Sequence, residues 1–142
     1  MNSVRNKPRQ LECVLCIDDE KDIQSIVKIS LERLGGIRVH FCTDPLLAMA
    51  RAREVTPDLI LLDFLMPGLD GAALFKRLQA DPDLARIPVV FLTAVMKGPE
   101  ANKLNALGAA GVLFKPFDVQ ELPRKLSQIW NGLNTTDSAA AP

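Results

Sequence analysis

The chain has 142 residues, 48% hydrophobic and 24% charged, which suits one globular domain able to bury a core without disulfide staples. Lys+Arg and Asp+Glu balance at 17 each, so nothing in the charge favours nucleic acid or an anionic membrane surface, which both demand a basic excess. No apolar run approaches the ~20 residues of a membrane span, and no signal-type apolar region follows the basic opening MNSVRNKPRQ, so a cytoplasmic protein is expected.

Residues 1–10 read as a flexible N-terminal segment, 11–133 as one domain and 134–142 as a disordered tail. Cys13 to Ile17 is a short apolar run that stops at Asp18-Asp19-Glu20, and at that length a strand fits better than a helix. Ile23, Ile26, Val27, Leu31 and Leu34 then recur at helical spacing, and Gly35-Gly36 ends the pattern. Ile37 to Cys42 reads as a second strand. Thr43-Asp44-Pro45 opens a second helix, with a capping side chain ahead of a proline suited to the first turn; that helix ends before Pro57. Leu59 to Leu62 is a third apolar run ending on Asp63, and the loop Met66 to Gly71 follows. Leu74, Phe75 and Leu78 mark a third helix. Pro88 to Leu92 is a fourth strand ending at Thr93, and a fourth helix is expected near residues 99–107. Val112 to Phe114 is a fifth strand ending at Lys115-Pro116. The last helix begins near Asp118, whose spacing to Glu121 is that of a capping box, although Pro123 allows a later start.

The three cysteines, Cys13, Cys16 and Cys42, suit a reducing compartment. Cys13 and Cys16 have C-x-x-C spacing, but positions three apart in a strand face opposite sides, so both read as small buried hydrophobes.

Continuous apolar strands alternating with helices imply a parallel sheet covered on both faces. Right-handed crossovers leave few topologies, and the expected fold is α/β, a doubly wound five-stranded sheet in the flavodoxin-like order 2-1-3-4-5. In such a sheet, ligands bind beyond the carboxyl ends of the strands where the order reverses. Asp18 and Asp19, Asp63, Thr93 and Lys115 all stand at those ends. Singly, each has an ordinary reading. The acidic run suits a helix dipole, Asp63 suits a turn, Thr93 a cap and Lys115 a solvated charge. Together they make a chemical set. Clustered carboxylates favour a hard divalent cation, and Mg²⁺ neutralises phosphoryl oxygens. A carboxylate can act as nucleophile and form an aspartyl-phosphate, while an ammonium and a hydroxyl can hold phosphoryl oxygens.

D-D-E at 18–20, L-L-D-F-L-M-P-G-L-D-G at 61–71, L-T-A at 92–94 and F-K-P-F at 114–117 resemble the receiver domains of two-component response regulators. The resemblance covers about residues 12–131. It implies that Asp63 accepts a phosphoryl group from a sensor histidine kinase or phosphotransfer protein. It implies Mg²⁺ held by Asp19 and Asp63 directly, by Asp18 through water, and by the Leu65 carbonyl. Thr93 and Lys115 would hold the phosphoryl group, Ala94 would leave room for the donor, and Lys115-Pro116 would be cis. Output would pass to a downstream protein through the face of helix four, strand five and the last helix, with no nucleic acid contact by this domain and no membrane. Any homodimer would use the same face. The domain would catalyse nothing beyond its own phosphorylation and dephosphorylation.

Two positions depart from the family pattern. Val112 stands where an aromatic switch residue is common, and the sequence has no Tyr, so a muted or differently routed structural response is expected. Leu65 is apolar where many relatives are polar, which suggests slow phosphate loss, against the equally open reading that it packs on the rim. Val112 also keeps a receiver-like binding module that works without phosphorylation in contention. A haloacid-dehalogenase-like phosphatase would need a second Asp two residues past Asp63, where Leu65 stands. A flavodoxin-like FMN binder would need a phosphate-cradling loop where Asp18-Asp19-Glu20 stands. No output domain follows residue 133, so the chain reads either as a stand-alone regulator or as part of a longer one.

Overall fold

In a computed structural model, the described residues are 10–66, 69–94, 104 and 106–140, without the side chains of 65, 69 and 134–140. The main sheet has five strands: β1 (Cys13–Ile17), β2 (Arg38–Cys42), β3 (Leu59–Asp63), β4 (Val89–Thr93) and β5 (Gly111–Phe114). All neighbours run parallel, in the order β2-β1-β3-β4-β5 expected from the sequence. β1, β3 and β4 are buried along their whole length, as continuous apolar runs require when helices cover both faces.

Alternate residues of each strand feed two separate cores. Val14, Cys16, Leu59, Leu61, Val90 and Leu92 face Val27 and Leu31 of α1 (Lys21–Lys28, continued as a π-helical segment Ile29–Leu34). Leu122, Leu126 and Trp130 of the last helix complete that layer. On the opposite face Leu15, Ile17, Ile60, Leu62 and Phe91 pack on Ala48 and Ala52 of α2 (Ala48–Val55) and on Leu74 and Leu78 of α3 (Gly71–Ala80). The alternation puts Cys13 and Cys16 on opposite faces, and all three cysteines are buried free thiols.

The helix starts follow local chemistry. The Asp44 carboxylate accepts from the Leu46 backbone N–H, with Pro45 opening a 3-10 turn that leads into α2. α2 closes on Thr56 in the left-handed region, φ 46°. Asp70 caps α3 by accepting from Ala72 N–H at 3.0 Å. Gly71 opens that helix under tight constraint, because a Cβ there would lie 2.7 Å from the Cα and carbonyl oxygen of Phe64.

Three features differ from the sequence expectation. The loop after β3 contains a small antiparallel hairpin, Leu65–Met66 against Leu69–Asp70. The last helix, α4 (Leu122–Ala140), starts four residues after Asp118. Asp118 instead caps the preceding turn, accepting from Gln120 N–H, and Pro123 then sits in a first turn where its missing N–H is harmless. The helix also runs through residues 134–140, assigned above to a disordered tail, since no Gly or Pro interrupts that stretch. Residues 1–9 and most of the helix expected at 99–107 lie outside the described residues.

Candidate phosphoacceptor site

The strand ends do converge. Asp18, Asp63 and Thr93 are three of the four buried polar residues among those described, at 0%, 3% and 0% exposure, and all three lie at carboxyl ends of neighbouring strands. β1 hands the chain to Asp18, whose N–H donates to the Cys42 carbonyl of β2. Thr93 closes β4, and its carbonyl accepts from Lys115 N–H at 2.8 Å, fixing the start of the segment after β5. The Lys115–Pro116 bond is cis.

Lys115 is the hub. Its ammonium lies 3.0 Å from Glu20 Oε1, 3.1 Å from Asp18 Oδ2 and 3.4 Å from Asp63 Oδ2. Burial works against its charge, but the hydrogen bonds to Glu20 and Asp18 outweigh it, and the amine is pushed well above its ordinary range. Burial raises the Asp18 carboxyl, opposed by the Glu20 N–H that its Oδ1 accepts at 2.8 Å and by Lys115. Beneath the site, burial pushes the Cys16 thiol far up, and the Asp18 charge adds to that.

Oxygens of Asp18, Glu20 and Asp63 lie within 4.8 Å of one another. Among the described residues, three carboxylates converge on the Lys115 ammonium. Asp18 Oδ2 is buried, and its partner among the described residues is the Lys115 ammonium at 3.1 Å. An oxygen-only donor set of crowded carboxylates fits a hard divalent cation.

The expected metal set and the observed cluster overlap without coinciding. Asp18 and Asp63 are in it. Asp19 is exposed and is not one of the three, and Glu20 joins them. The chain bends at residue 19, and the Asp18 carboxylate accepts from Glu20 N–H across that bend. The third acid of the D-D-E run was the available signal. Leu65 opens the hairpin just beyond Asp63, while its side chain lies outside the described residues. Ala94 is exposed beside Thr93. Val112 is half-buried, paired in register with Phe91 and packed on the α2–α3 core.

Residues 14–127 match the response regulator receiver domain family. The DNA-binding dual master transcriptional regulator RpaA of Synechocystis sp. is 40% identical over 77% of this chain and 45% of its own length. Chemotaxis protein CheY-3 of Vibrio cholerae is 31% identical over 94% of this chain and all of its own length. The solved structure of chemotaxis response regulator CheY4 of Vibrio cholerae superposes with a TM-score of 0.76 at 28% identity, over 84% of this chain and 98% of that one. The chain spans about half the length of the first curated relatives it matches. With the sheet order, the strand-end site and these matches in agreement, the chain belongs to the receiver domain family of two-component response regulators.

Proposed function

We propose that Asp63 is the phosphoacceptor of a Mg²⁺-dependent receiver, charged by a sensor histidine kinase or a phosphotransfer protein. The carrying observation is a buried strand-end carboxylate, Asp63, that faces Lys115 at 3.4 Å and shares that ammonium with the buried carboxylate of Asp18. An Asp63 oxygen attacks the phosphorus of a phosphohistidine. The new P–O bond forms as the P–N bond breaks, and its electron pair stays on the donor imidazole. Lys115 and Thr93 hold phosphoryl oxygens through the ammonium and hydroxyl.

Asp63, Asp18, Asp19 and the Leu65 carbonyl would hold Mg²⁺, which when bound neutralises charge on the transferring phosphoryl oxygens. Asp18 is preorganised for this role by the Glu20 N–H on its other oxygen. The chain acts as a switch and not as a turnover enzyme. It works in the cytoplasm, without nucleic acid or membrane contact by this domain. It signals to a protein target through the face of the helix expected near residues 99–107, β5 and the last helix α4, which would also be the face of any homodimer. Half-buried Val112 on that face supports a response carried by packing in place of an aromatic flip.

Borohydride trapping tests the acceptor. Reduction of the acyl phosphate converts the modified aspartate to homoserine, and peptide mapping locates it. Homoserine at position 63 that requires Mg²⁺ is the expected result. Homoserine elsewhere, or none in folded protein given a small phosphodonor, contradicts the assignment.

A further inference from the structure

We infer that Glu20 is an exchangeable counter-ion of Lys115: it latches the lysine in the resting site and yields its place to the incoming phosphoryl group. The inference rests on the phosphoacceptor reading above and adds to it a residue the resemblance does not assign. Lys115 has three N–H donors and three carboxylates around it. Two of these, Asp18 and Asp63, are buried at strand ends and have nowhere to go. Glu20 differs. Its side chain is 57% exposed, it stands at the N-cap of α1, and its carboxylate makes no hydrogen bond among the described residues other than that from Lys115. When a phosphoryl oxygen needs a Lys115 proton, Glu20 is the partner that can swing into water at least cost.

Electrostatics point the same way. A phosphoryl group arriving at Asp63 brings negative charge into a cluster that already holds three carboxylates. Glu20 repels it and occupies its donor. Neutralising Glu20 should therefore help the phosphoryl group and free the lysine together. Because Glu20 is largely solvated, the effect is modest, roughly two- to five-fold, as for other exposed ion pairs.

The test uses beryllofluoride, a phosphoryl mimic, at saturating Mg²⁺, so that any change in metal affinity drops out. Glu20→Gln should bind it roughly two- to five-fold more tightly than the wild type, with Glu20→Ala as a second variant moving in the same direction. A second readout needs no metal. In chelator, acylation of the Lys115 amine, mapped by peptide mass, should be several-fold faster in Glu20→Gln, because the amine is less tightly held. Equal or weaker beryllofluoride binding, or an unchanged acylation rate, overturns the latch. If neither protein binds beryllofluoride, the phosphoacceptor reading itself falls and takes the latch with it, an outcome distinguishable from equal affinities in both.

Discussion

Asp58 and Asp63 flank the same strand and do opposite work. At the amino end of β3, Asp58 Oδ2 accepts from the N–H groups of Glu12 and Cys13 at 3.0 Å each, tying the start of β1 to its neighbour. Its charge meets the backbone donors that strand β1 leaves over. At the carboxyl end, Asp63 meets Asp18 and Glu20, and among the described residues all three converge on the Lys115 ammonium. One carboxylate is placed where it stabilises the sheet. The other stands where like charges crowd, which costs stability and gains chemistry. A buried polar group therefore reports function when its surroundings leave it under-compensated, and structure when they satisfy it.

Substitutions at the two ends should separate these roles. The largest effect is expected for Asp18→Asn, which keeps shape and removes one crowded charge. Mg²⁺-dependent phosphoryl uptake should fall by about 100-fold or more, as for loss of a preorganised charge in a transfer site. Metal-free stability should instead rise, by about 1 kcal/mol or less, measured by urea unfolding in chelator. The pH dependence has a matching sign. Burial raises the folded Asp18 carboxyl above its unfolded value, so this group favours folding on the acid side and that contribution fades as pH rises through its titration. The variant should lose that slope. A metal-free Asp18→Asn protein markedly less stable than wild type would break the comparison.

Asp58→Ala should show the reverse pattern. Leaving two strand-start N–H groups without their acceptor is expected to cost about 1–3 kcal/mol in unfolding free energy. Phosphoryl uptake well below the melting temperature should be unchanged. Uptake that drops with stability would mean that the two ends are coupled. The smallest effect concerns the thiols. Burial raises all three cysteines, so native protein should resist iodoacetamide until it unfolds. Rapid labelling of Cys16 would show that the base of the site opens to solvent.

The sheet and most of the site were legible because each signal was local. Apolar runs ending on Asp18, Asp63, Thr93 and Lys115 set strand limits and polarity, and the crossover rule supplied the order. Where reading failed, the cause lay in geometry finer than residue spacing. Glu20 was passed over beside Asp18 and Asp19, because residue spacing does not show that its carboxylate reaches the Lys115 ammonium. The hairpin 65–70 escaped notice because Pro67-Gly68 reads as loop and its two paired positions on each side are too short for any periodicity. Asp118 carried a capping pattern that served a turn, and the helix waited for Leu122.

The central claim is that Asp63 takes a phosphoryl group with metal help. Intact mass after incubation with acetyl phosphate tests it most directly, with and without Mg²⁺ and beside Asp63→Asn. The account predicts one added phosphoryl mass that needs both Mg²⁺ and Asp63. No gain in folded wild-type protein, or an equal gain in Asp63→Asn, would contradict it.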